Sequence, residues 1–309
     1  MRRSISIFSA LVCLVLMSPA NLFAHGVIGK RFVPESMTVT DPFPSDEADL
    51  LAFSHQKTAD ALVNSYGFGI SKRLSPNFSV DLDGAYDRIR PNDDAARIGG
   101  FENIGLSVKY AALRLPEHEL LVTTALGWEI GGTGSREIGR EAHSAVTPQL
   151  LFVYGLGDLP DGVRYLQPFA IAGQVGLSAP VGNRSADAAD IANTLRYGLV
   201  VEYSFLYLQS FVKDVGLGWP FNRIFPVTEF SFEQPLNGPN AGQVTATANP
   251  GLIWAGRYYE LGLEAILPLN ERSGSHTGVR GLVHLFLDDM FPRSYTWTPF
   301  GGVLGPTQK

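Results

Sequence analysis

The sequence predicts an all-β chain, an antiparallel transmembrane β-barrel of about twelve strands, and three observations predict it. From about residue 48 onward apolar residues recur at every second position, in segments of roughly ten residues. Only 17% of the 309 residues are charged. No long stretch carries the 3.6-residue period of a helix. With 45% hydrophobic residues and a mean hydropathy of only +0.06, the chain suits a membrane only if half of its residues are hidden from lipid, as they are in a closed barrel. A soluble sandwich would alternate too, but its outer face usually carries denser charge than this chain supplies.

The first 24 residues read as a secretory signal. Arg2 and Arg3 precede an apolar run from Phe8 to Met17, followed by a Pro-Ala break and Leu22-Phe23-Ala24. Cleavage is expected after Ala24, and the apolar run is too short for a membrane-spanning helix. The sole cysteine, Cys13, lies in this segment, so an exported mature chain has no disulfide and relies on sheet hydrogen bonds. Residues 25–47 form a periplasmic leader or a plug of the lumen, and the stretch from Asp41 to Asp49 carries two prolines and four acids.

The barrel itself is expected over 48–288, with strands near 48–56, 60–73, 78–89, 103–114, 119–131, 146–156, 164–178, 193–205, 225–234, 244–256, 258–269 and 277–288. The first of these and the stretch from Leu206 to Asn222, read as an irregular connection, have the weakest pattern, which widens the range to 10–14 strands. An even number puts both chain ends on one side, the periplasmic side for an exported barrel. Short links at Ser75-Pro76-Asn77, Pro116-Glu117-His118 and 158–162 alternate with longer polar ones at about 91–102, 132–145 and 179–192, so the two kinds fall at opposite ends. Aromatics near strand ends, among them Tyr66, Phe68, Tyr86, Phe101, Trp128, Tyr154, Trp254, Tyr258 and Tyr259, are candidates for interfacial girdles. Residues 289–309 form a Pro- and Gly-containing periplasmic tail.

Alternation assigns the two faces. Phe78, Val80, Leu82 and Tyr86 oppose Ser79, Asp81, Asp83 and Asp87; Tyr259, Leu261, Leu263 and Leu267 oppose Glu260 and Glu264; Val279, Val283 and Leu285 oppose Arg280 and His284. With lipid on the apolar face, the lumen holds the acids Asp81, Asp83, Asp87, Glu129, Glu202, Glu229, Glu233, Glu260 and Glu264. It also holds the bases Lys109, Arg196, Arg257, Arg280 and His284. A barrel of this size is narrow, so these groups either line a partly occluded water path, where the acidic surplus favours cations, or pair into a plug that holds the ring open.

Residues Asn249-Pro250-Gly251-Leu252-Ile253-Trp254, the run from Tyr258 to Pro268, and Gly281 to Phe291 resemble outer-membrane barrels of Gram-negative bacteria. More distantly, together with Ile70-Ser71-Lys72-Arg73-Leu74 and Pro76, they resemble the transporter-like family associated with meta-pathway phenol degradation. The resemblance implies passage of small, often hydrophobic molecules. The chain departs from such barrels in ending on Lys309 rather than on an aromatic strand end, which leaves Phe286 or Phe291 as an internal substitute.

Other chemistry finds little support. Net charge is −6 with no dense basic cluster, so no nucleic-acid partner is expected. His143 and Ser144 are adjacent and would point to opposite faces of a strand, and no Gly-x-Ser-x-Gly elbow or His-Glu-x-x-His helix occurs, so no enzyme and no cofactor are expected. Cleavage after Ala24 would expose His25, a candidate copper ligand through its amine and imidazole. The functional expectation is a monomer in outer-membrane lipid that acts as a passive channel for a small-molecule solute. A nonconducting barrel that binds a partner through its loops is the alternative.

Overall fold

The computed structural model describes residues 26–58, 60–92, 96–138, 143–181 and 192–300. The signal segment, His25 and residues 301–309 lie outside the described residues. Two short strands, β1 (Val27–Ile28) and β2 (Arg31–Phe32), form a hairpin. The wall follows as β3 (Glu47–Lys57), β4 (Ala61–Ser75), β5 (Phe78–Pro91), β6 (Ile98–Phe101), β7 (Ile104–Leu115), β8 (Leu120–Ile130) and β9 (Ser144–Gly155). It continues through β10 (Phe169–Val181), β11 (Thr194–Tyr203), β12 (Ile224–Pro235), β13 (Thr245–Ala255), β14 (Tyr259–Pro268) and β15 (Gly278–Phe286).

Apart from β6, each wall strand pairs antiparallel with the next, β5 with β7, and β15 pairs with β3 from Val279↔His55 to Phe286↔Glu47, which closes the ring. β6 and β7 share one position, because both pair with β5, at Tyr86–Ile89 and Phe78–Asp83 respectively. Thirteen segments therefore make twelve staves, the number the alternation gives. Closure pairs the wall strands around the ring, which is what a sheet in lipid needs, and the free side of β6 is met at the rim by Ser135, whose N–H donates to Phe101 O and whose hydroxyl accepts Phe101 N–H. In the seam, Val283 pairs with Leu51 and His284 with Asp49, so Leu50 is extra: a β-bulge that turns both leucines outward.

Both termini leave from the end where Glu47 meets Phe286, here the terminal end; the opposite rim is the loop end. The expected short links all lie at the terminal end, but two connections there are long. Residues 156–168 include a 3-10 turn at Asp161–Leu166, so β10 begins at Phe169 and not at 164. Pro160 pre-sets the backbone entering that turn and Pro168 has no N–H to give to a ladder. Residues 204–223 are irregular as expected, with helical turns at Phe205–Tyr207 and Leu208–Val212.

The outer face is a band of exposed apolar side chains, with Leu263 62%, Leu252 53% and Leu126 48% accessible. Aromatic pairs bracket it. Tyr86–Phe101 and Tyr197–Phe232 (centroids 5.0 and 4.8 Å) sit toward the loop end, and Phe169–Tyr203 and Trp254–Tyr259 (4.7 and 5.6 Å) at the terminal end. A monomer in water does not leave such a belt uncovered, whereas lipid covers it. Phe286 is buried on the inner face against Phe32 and Phe225, so it is no lipid-facing strand end; Phe291 lies beyond the last strand and is half exposed.

Candidate functional site: the lumen and the segment inside it

Residues 26–46 contact inward-facing groups on most wall strands, among them Thr123, Gln174, Glu229 and Glu260 on β8, β10, β12 and β14, with apolar packing against β7, β9, β11, β13 and β15. Only a chain inside the ring reaches all of these. The segment enters at the terminal end, rises to about mid-barrel near Thr38, and returns to begin β3.

Its lower anchor is Arg31, whose accessibility is 0%. Nε donates to Glu119 Oε2 at 2.8 Å, Nη1 to Pro168 O at 3.0 Å and Nη2 to Gln167 O at 2.5 Å, while the guanidinium lies 4.3 Å from the Tyr207 ring centroid. A buried guanidinium persists only when its donor fork is met in this way. Gly29, at φ 61°, lets the hairpin turn approach the β7–β8 link, since a Cβ there would lie 2.1 Å from Pro116 O.

At the upper end Glu229, also fully buried, accepts the N–H groups of Met37, Thr38 and Val39 at 2.7, 2.7 and 3.1 Å, and the Thr38 hydroxyl. Gln174 Oε1 accepts Thr40 N–H at 2.8 Å, and Glu260 Oε2 accepts Glu35 N–H at 2.9 Å. The wall thus satisfies backbone donors of a segment that has no ladder of its own at this height. Two inward glycines make room: a Cβ on Gly262 would lie 2.4 Å from Met37 Cε, and one on Gly198 2.8 Å from Val39 Cγ2. On the return, Thr123 donates to Pro42 O at 2.6 Å, and Asp46 takes Lys72 Nζ at 2.6 Å and Arg73 N–H at 3.0 Å.

The segment is not centred. Its apolar side chains Ile28, Val33, Val39 and Phe43 pack on Ala111, Leu121, Val153, Ala172 and Val200, with the wall from β7 to β11. On the other side a cavity of about 340 Å³ separates it from β3, β4, β5 and β7, lined by Glu35, Glu47, Asp49, Asp81, Lys109 and His284 among others. Above lies a vestibule of about 580 Å³ toward the loop end, lined by Asp83, Glu129, Gln174, Arg196 and Glu233. Thr38, Thr40, Asp83 and Ser107 line both spaces.

The sequence-assigned interior residues divide accordingly. Asp81 accepts Ser71 and Ser107 hydroxyls and lies 3.9 Å from Lys109; Asp83 faces the vestibule; Asp87 is buried nearer the loop end. Asn103 Nδ2 donates to Glu129 at 2.9 Å, and Arg196 pairs across the ladder with Glu233 at 3.2 Å. Glu202, Glu229, Glu260 and Glu264 are buried on the inner face, with Arg280 3.8 Å from Glu264. His284 holds Asp49 at 2.8 Å. Arg257 is the exception. It lies in the β13–β14 turn, exposed, with its guanidinium 5.0 Å from the Tyr258 ring, because the strands end at Ala255 and resume at Tyr259 and so leave it off the wall.

Alternation gives no access to the inner segment's own residues, since residues 26–46 have no period, and Arg31, Glu35, Thr38 and Asp41 were missed for that reason. Burial inside the barrel raises the carboxyl of Asp41 to about 7, opposed by Lys109 and reinforced by Glu47. Glu35, whose accessible surface opens onto the internal cavity, is likewise pushed well above the ordinary range, by burial first and then by Asp41, Asp49 and Glu47.

The barrel has the fold of a solved outer membrane channel from Pseudomonas putida F1. The two share 12% identity with a TM-score of 0.54, over 82% of this chain and 99% of that one. A KdgM porin (TM-score 0.45, 12% identity, 76% and 97% covered) and a NanC porin (0.48, 9%, 76% and 98%) are also similar. No family model and no curated protein matches the sequence.

Proposed function

We propose that the chain is an outer-membrane channel that passes small polar solutes, cations in preference to anions, along one side of its own inner segment, with the terminal end in the periplasm. The observation that carries the proposal is the adjacency of the two spaces: Thr38, Thr40, Asp83 and Ser107 border both the vestibule and the lower cavity, which places the proposed water path beside the segment on the β3–β7 side. The lining is acidic, with Glu35, Glu47, Asp49, Asp81 and Asp83 against Lys109 and His284 in the lower space. Rings of one sign in a narrow, low-dielectric bore select the opposite ion. Small hydrophobic solutes, which the likeness to the phenol-associated family implies, fit this polar lining less well. The lipid-facing belt and the fold shared with a channel support the location.

Reconstitution into planar bilayers tests the reading. A small, cation-preferring conductance is expected, and removal of residues 26–46 should enlarge it. If that variant does not fold, as judged by heat-modifiable mobility on a denaturing gel, Glu229→Ala is the substitute. Silence from folded protein both with and without a seated segment, or anion preference, overturns the proposal.

A further inference from the structure

His284, Glu47 and Glu35 each present a ligand atom such that all three atoms lie within 4.8 Å of one another. The residues come from three places: Glu35 from the inner segment, Glu47 from the first wall strand, and His284 from the last. His284 is only 3% accessible, and its Nε2 makes no hydrogen bond although it faces this cluster, 3.6 Å from Glu47 Oε2. Its other nitrogen, Nδ1, is 2.8 Å from Asp49 Oδ1. A carboxylate that accepts the Nδ1 proton leaves Nε2 with its lone pair directed at the cluster, the arrangement in which outer carboxylates orient metal-binding imidazoles. Glu260 is adjacent, fully buried, with Oε2 on Glu35 N–H and Oε1 without a hydrogen bond.

Charge supports the same reading. Glu35, Glu47 and Asp49 share the lower cavity with Asp81, and only Lys109 and His284 offset them. Burying such a surplus is costly unless protons or a cation balance it. We infer that Glu35, Glu47 and His284 form a site for a divalent transition ion of the zinc type, which ties the inner segment to the wall across the closing seam. One imidazole and two carboxylates suit zinc, which takes mixed N and O ligands and keeps a water in its fourth position, whereas calcium takes six to eight oxygens. The cavity these residues line gives the ion an entry route.

Untagged full-length protein, folded in detergent and stripped with chelator, is titrated with Zn²⁺ against a chromophoric competitor. One equivalent is expected to bind, and His284→Ala and Glu35→Gln should each weaken it by at least tenfold. Glu35 is off the wall, so Glu35→Gln leaves the barrel intact should His284→Ala fail to fold. His276→Ala and His25→Ala should bind as the parent does. Absence of a stoichiometric equivalent, unchanged affinity in both Glu35→Gln and a folded His284→Ala, or loss of binding with His25→Ala overturns the site. The readout is ion binding, so silence in the bilayer experiment has no bearing on it.

Discussion

Arg31 and Glu119 are 88 residues apart in sequence and 2.8 Å apart inside the barrel, where both are withdrawn from solvent. This pair pins the hairpin to the β7–β8 turn. Removing one partner of a buried ion pair strands the other, at a cost of about 3 to 5 kcal/mol. Arg31→Ala is therefore expected to unseat the lower half of the inner segment while the wall stays folded. A Thr38→Cys reporter in a Cys13→Ser background, the chain's sole native cysteine thereby removed, should react faster with a thiol reagent when Arg31→Ala is added.

Glu229 holds the apex. With Glu229→Ala three backbone N–H groups lose their acceptor, each worth about 1 to 3 kcal/mol when left buried and unpaired. The expected outcome is a larger unit conductance and faster thiol labelling at position 38. Glu229→Gln, which keeps an acceptor oxygen, should fall between this variant and the parent.

Asp83 borders both internal spaces, so its charge acts on whatever crosses between them. Asp83→Lys should turn a cation preference toward anions, read as a reversed zero-current potential across a salt gradient. Asp87→Asn, at a residue that lines neither space, should leave that potential nearly unchanged.

Seating of the inner segment should weaken as pH rises. Asp41 titrates near 7 when seated and at an ordinary carboxylate value when released, so the seated state holds the extra proton between these limits. Its contribution to seating is complete below about 4 and is lost as pH climbs through 7. The raised carboxyl of Glu35 acts in the same direction, while Lys109 and His284 oppose and Glu47 reinforces the shift at Asp41. Thiol labelling at Thr38→Cys should accordingly accelerate from pH 5 to pH 8, and Asp41→Asn should flatten part of that rise.

The apolar belt gives a simple test of what covers it. Leu263→Arg places a charge on the most exposed part of the β14 outer face and should cost about 2 to 4 kcal/mol of folding into bilayers near mid-depth. Ser231→Arg, on the inner face of β12 beside the vestibule, should cost much less. Equilibrium unfolding from lipid vesicles compares the two.

How much of this was legible in the sequence follows from periodicity. Every wall strand except β6 shows as an alternating run because lipid lies on one side and the lumen on the other; β6, Ile98–Phe101, lies inside the stretch 91–102 that reads as a polar link, too short to show a period. Asp81, Glu229, Glu260, Glu264 and His284 all lie on the inner face that their parity assigned. Parity ends where a strand ends, so Arg257, two residues past the end of β13, was placed on the wall when it belongs to a turn. The start of β10 was set five residues early for a related reason, since the apolar residues Tyr165 and Leu166 belong to a 3-10 turn before Pro168. Residues 26–46 repeat nothing, and their partners are scattered over strands up to 225 positions away, as for Glu35 and Glu260. A single sequence holds no local trace of such pairings.

The inner segment precedes every wall strand in the chain, yet its hydrogen-bond acceptors on β10, β12 and β14 are made much later. It is consequently an early-emerging piece whose upper anchors are missing until the cylinder around it is nearly complete. Its docking is complete only once β14 is in place, one strand short of the seam, and docking and closure meet at one spot, where Glu47 and His284 of the seam stand beside Glu35.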